Sequence, residues 1–203
     1  KRIALGIALL GIGAAIAIGG RAWGQFSSSD LKFPNSPSAH FGQLSGAGRH
    51  QFWGVAIEAF EEEPAIGHGA GTDQFSWDQL RTLPMPVLDA HSLYLEAFAE
   101  LGVVGGLLVA ALVGILLWTG FAAWRRARGA QQELYALLFA VALAFAVGAA
   151  IDWFWETAVL GAIFFLASGV LVAGRCAQIA QARAAADGKR EERRFGRVVA
   201  GLA

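Results

Sequence analysis

Four stretches of the chain carry no charged residue, at 3–20, 101–124, 134–151 and 157–174. A helix rises about 1.5 Å per residue, so about 20 residues cross a hydrocarbon core roughly 30 Å thick. The pattern predicts an all-α integral membrane protein with about four transmembrane helices. The second begins near the interface, so that this element runs over 94–124. The first run follows Lys1 and Arg2, as a signal peptide would. It is longer than a usual signal core, and no small-residue cleavage site precedes Arg21, so it reads as a span. The chain starts at Lys1 and not at Met, which points to a piece of a longer protein. Between the first two spans, 21–93 is one large loop, and 175–203 is a basic tail.

Within the loop, 24–48 is rich in Ser, Pro, Gly and Asn and reads as irregular. Over 49–63, Phe52, Trp53, Ala56, Ile57 and Phe60 form one apolar stripe at helical period. This predicts a short amphipathic helix, stopped by Pro64. Gly67, Gly69 and Gly71 then let the backbone approach something closely. A second short helix is expected over 75–83, broken by Pro84-Met85-Pro86. From Asp89 the chain reads as a helix running into the second span, with Asp89 as its N-cap and His91 in its first turn.

Charge gives the orientation. Twelve of the sixteen basic residues lie before the first span, between the second and third, or after the fourth. An even number of spans puts these three segments on one side, and the excess of Lys and Arg makes that side cytoplasmic. The loop 21–93 and the turn 152–156 are then extracytoplasmic. The basic tail is either a solvated end that obeys this bias or a surface for anionic lipid head groups.

Composition agrees with a membrane protein and removes other classes. Apolar residues make up 56% of the chain and charged residues 16%, with a mean hydropathy of +0.49. Zero net charge and a pI of about 7.1 argue against nucleic-acid binding. Cys176, the single cysteine, excludes an internal disulfide and a cysteine-rich metal site. The four histidines show no metal-binding spacing, and no nucleotide-binding loop is present.

Candidate chemistry sits in the loop. At a helix N-terminus the dipole would push the His91 pKa down, leaving a neutral imidazole able to take a proton from a hydroxyl. The plain alternative is an interfacial polar residue. Arg49 offers either an exposed charge or a fork of donors for a diphosphate. His68, between glycines, either reaches a substrate or sits in a solvated turn. Asp152 and Glu156, spaced i, i+4, either end their spans or, for Asp152, support an arginine or histidine of the loop. Gly102, Gly105 and Gly106 favour close helix packing over phosphate binding.

Three blocks in order are familiar: Arg49-His50-Gln51-Phe52-Trp53; Pro64-Ala65-Ile66-Gly67-His68-Gly69 through Phe75; and His91-Ser92-Leu93-Tyr94-Leu95-Glu96 followed by Glu100-Leu101-Gly102. Over roughly 45–175 the chain resembles the O-antigen ligase and polymerase family. The resemblance implies a polytopic glycosyltransferase of the bacterial inner membrane, of which this chain is the C-terminal portion, inactive alone. Such enzymes move a glycan from an undecaprenyl-diphosphate carrier to a glycan or lipid-linked acceptor, among membrane lipids. They use no nucleotide sugar, metal or other cofactor. His91 then corresponds to the base for the acceptor hydroxyl and Arg49 to a clamp on the diphosphate. Asp152 and His68 join the substrate site. Ser92 stands where Asn is common in the family. Ligase and polymerase are not separated by these residues. Two other classes stay open: an export component with the loop as gate, weakened because the spans hold no ionisable group, and an adaptor without chemistry.

Overall fold

The computed structural model describes residues 19, 20, 23, 24, 48–81 and 83–200. Among these are five α-helices of eight residues or more: α1 Arg49–Glu62, α2 Asp73–Leu80, α3 Leu93–Arg126, α4 Ala130–Gly148 and α5 Ala158–Ala200. A 3-10 turn, Phe154–Glu156, stands between α4 and α5. No strand occurs among the described residues. Three helices, α3, α4 and α5, are long and apolar enough to cross a membrane. The expected first span, 3–20, lies outside the described residues but for its last two positions.

The spans differ from their expected bounds for local reasons. α4 starts at Ala130, with Glu133 in its first turn, where the positive end of the helix favours an acid. α5 does not stop with its apolar run but continues as one helix through the basic tail. Leu108, Ile115, Trp118, Leu137 and Leu166 stand more than 60% exposed on these helices. Such faces are costly in water and at home in hydrocarbon.

The chain forms two compact units, 1–107 with 150–153, and 108–149 with 154–203. In the second unit, Phe164 of α5 stacks on Phe145 of α4 at 4.6 Å. Ala123, Ala127, Tyr135 and Leu171 form a buried cluster, and Gln178 Nε2 donates to the Ala123 carbonyl at 3.0 Å.

The first unit positions the loop. Phe52 and Val55 of α1 meet Trp77 of α2 and Leu83 and Val87 of the following segment. Ala56 and Ala59 meet Ala90 and Ala99, where small side chains let the backbones come close. The buried face of α1 is therefore Phe52, Val55, Ala56 and Ala59, while Ile57 of the expected stripe is 46% exposed. Phe52 and Val55 against Trp77, with small residues opposite Ala90 and Ala99, set that face.

α3 is broken at Gly102, whose φ of 65° and ψ of −171° lie outside the helical region. The glycine-rich segment docks into the break. Val103 donates its N–H to the Pro64 carbonyl at 2.8 Å. His68 and Gly69 donate to the Ala99 and Glu100 carbonyls at 3.1 and 2.8 Å. These bonds replace helical ones that the break removes. A Cβ on Gly102 would meet the Ala65 backbone within 2.5 Å, and one on Gly67 would meet the Glu100 backbone. Both glycines also have φ near +65°. The close approach expected of this segment is thus to a broken helix of the same chain.

Candidate active site

α1 starts at Arg49, and its guanidinium turns to residues that follow α4. Nε donates to the Ile151 carbonyl at 2.8 Å. Nη2 donates to Asp152 Oδ2 at 2.6 Å, in a half-buried ion pair. Asp152 Oδ1 accepts the Trp153 N–H at 2.9 Å, which fixes the carboxylate. Asp152 lies outside any helix, so it shares no helical face with Glu156, which is exposed at the end of the 3-10 turn.

A cavity of about 320 Å³ opens beside this pair. Arg49 and Phe52 of α1 line it with Asp89, His91, Trp153 and the segment 85–88. That segment is braced by Trp77 Nε1, which donates to the Met85 carbonyl at 2.8 Å.

His91 sits before α3, not in its first turn. α3 begins at Leu93, and Ser92 Oγ accepts the Leu95 N–H at 3.4 Å, so Ser92 and not Asp89 takes the cap. Asp89 is occupied elsewhere. Its Oδ1 accepts the His91 backbone N–H at 3.0 Å and stands 2.9 Å from ring Nδ1. The His91 backbone has a φ of 54°, the one non-glycine positive φ among the described residues. Such a conformation costs about 1–2 kcal/mol. The ring rests on Phe52 at 4.7 Å, and the His91 carbonyl accepts from Trp53 Nε1 at 3.4 Å.

The electrostatics reverse the expectation for His91. Burial disfavours its charged form, but the hydrogen bonds its ring donates to Asp89 and that carboxylate's charge outweigh burial, so its pKa is raised. Arg49 opposes the shift. Burial pushes Asp89 up, yet its bonds to His91 hold it below the usual carboxylate value. The helix dipole invoked from sequence does not decide the sign, because His91 lies outside the helix and beside an acid.

His68 is not brought to this cavity. Its Nε2 lies 2.9 Å from the Ala59 carbonyl and 3.8 Å from Glu62 Oε2. It lines a separate cavity of about 200 Å³ with Glu62, Phe75 and Gln79. Three buried acids escaped the sequence reading. Asp73 donates its backbone N–H to Glu100 Oε1 at 3.1 Å, and Glu96 Oε2 accepts the Ala90 N–H at 2.9 Å. Burial, with Glu100 nearby, pushes the Asp73 carboxyl up to about 7. The i, i+4 spacing of Glu96 and Glu100 was the available signal, but it is equally that of an exposed helix face. Among the described residues no cluster of His, Cys, Asp and Glu has the makings of a metal site.

An arginine, an imidazole and a carboxylate around one opening can bind an anion and move a proton. A family model described as O-antigen ligase matches residues 1–110, which takes in Arg49, His68 and His91 and stops short of Asp152. No curated protein and no solved structure matches the chain. The match covers more than half of the residues and agrees with the three apolar helices: the chain is a membrane protein that belongs to the O-antigen ligase family, a family of glycan-processing enzymes.

Proposed function

We propose that this chain carries the reaction centre of a glycosyltransferase that moves a glycan from an undecaprenyl-diphosphate carrier to an acceptor hydroxyl. The reaction takes place at the outer face of the bacterial inner membrane, among membrane lipids. One observation carries the reading: Arg49 and His91, from separate elements, line the same cavity.

In the reaction, His91 takes the proton of the acceptor hydroxyl as its oxygen attacks the anomeric carbon. The bond from that carbon to the diphosphate oxygen breaks, and the diphosphate leaves with the electron pair. Arg49, held by Asp152, supplies positive charge where the leaving group's negative charge grows. Asp152 thereby acts on the substrate through Arg49. His68, with Glu62 and Gln79 in the second cavity, offers hydrogen bonds to a sugar away from the reacting unit.

The test is glycan display in cells whose full-length protein carries His91→Ala, with its membrane level followed by blot. A loss of transfer of about 10²-fold or more at normal protein level is expected, the scale of a missing base. Normal display at normal level overturns the reading.

A further inference from the structure

We infer that Asp89 is a positioning residue for this transfer: it holds His91 in its left-handed backbone and selects the imidazole form that leaves Nε2 as the proton acceptor. The inference rests on the proposed role of His91 and names the group that sets that role.

Three contacts join the two residues. Oδ1 accepts the His91 backbone N–H at 3.0 Å. The same oxygen is 2.9 Å from Nδ1. The Asp89 main-chain carbonyl is 3.2 Å from Nδ1. A carbonyl and an ionised carboxylate both accept and neither donates. Nδ1 facing both therefore carries the hydrogen, and in the neutral ring the lone pair falls on Nε2. The backbone contact adds a second function. A carboxylate that accepts the N–H two residues on closes a local turn and tolerates the left-handed conformation that follows. The Asp89 side chain is 16% exposed and that of His91 21%, so water competes weakly for these bonds.

Phe52 packs against the ring, with centroids 4.7 Å apart. The ring is thus held by a carboxylate at Nδ1 and by the Phe52 ring, beside a cavity that Arg49 also lines. A positive charge forming on the ring during transfer is stabilised by the Asp89 carboxylate. The raised pKa of His91 and the lowered one of Asp89 agree with that pairing.

The test uses the full-length protein in proteoliposomes, with lipid-diphosphate-linked glycan extracted from the same cells as donor and an oligosaccharide acceptor titrated. Asp89→Ala is expected to lower kcat by about 10²-fold, within the range a general base supplies, with the acceptor KM changed less than about threefold. Asp89→Asn keeps an oxygen for the two N–H groups and loses the charge, so an intermediate kcat at unchanged KM is expected. A fully active Asp89→Ala overturns the inference, because neither the turn nor the imidazole form would then depend on this side chain. So does an Asp89→Ala whose loss lies wholly in KM or in protein level. His91→Ala measured alongside separates the two claims: a normal rate there removes the base itself, whereas an inactive His91→Ala beside a fully active Asp89→Ala removes only the role of Asp89.

Discussion

Asp89 and His91 stand two residues apart, a spacing that serves a helix cap and a side-chain clamp equally well. The sequence predicts the cap, and with it a lowered His91 pKa. Ser92, three residues nearer the apolar run, is as good a cap and wins because Asp89 is already bonded to His91. Competition of this kind between neighbouring oxygen-bearing side chains is invisible in local spacing. The difference has a measurable sign. A base must be neutral to accept a proton, so transfer falls as pH drops through the His91 pKa. With that pKa raised above 6.5, kcat/KM of the full-length enzyme is expected to climb with pH to a plateau whose midpoint lies above the ordinary histidine value. Arg49 pulls the midpoint down and Asp89 pulls it up, so Asp89→Ala moves it to lower pH. A midpoint below 6.5 in the unaltered enzyme would restore the dipole argument.

At the scale of elements, α1, α2 and the three long helices were legible because each rests on a local pattern: an apolar period, a proline stop, a charge-free run. What the glycines of 67–71 approach was not legible, since their partner is a break in α3 some 35 residues on. Helical propensity around Gly102 reads as continuous, and only the exchange of three backbone bonds with 64–69 makes the break tolerable. Gly67→Ala places a Cβ against the Glu100 backbone at a positive φ. A loss of about 3 kcal/mol or more is expected, the sum of left-handed strain and a clash that backbone cannot relieve. It is read as a fall in the thermal unfolding midpoint in detergent and in membrane level. Gly114→Ala in α3, where a Cβ would meet nothing within 4 Å, serves as control and leaves both unchanged. Equal behaviour of the two variants would mean that the docked segment contributes little to the fold.

For the molecule as a whole, apolar runs predict four spans, of which the described residues carry three long apolar helices, and the basic bias predicts which way they run. Arg125, Arg126 and Arg128 fall between α3 and α4, and Arg183, Lys189 and Arg190 lie on α5 beyond its apolar part. The segment 127–129 and the turn at 149–157 lie at opposite ends of α4. A span at α4 thus sets them on opposite sides of the membrane, and the basic bias sends 127–129 inward. This predicts Asp152 and its partner Arg49 on the outside, where a carrier-bound glycan awaits transfer in the proposed reaction. Cysteine labelling decides this. Cys176, the native cysteine, is exposed and is first replaced by Ser. In that background, Glu61→Cys on α1 is expected to react with a membrane-impermeant maleimide in intact cells. Ala130→Cys at the start of α4 is expected to react only after the membrane is opened. The reverse pattern would set Arg49 and His91 on the cytoplasmic side. Their cavity would then face the nucleotide-sugar pool, a different donor chemistry from the one that a diphosphate clamp and a single base are built to handle.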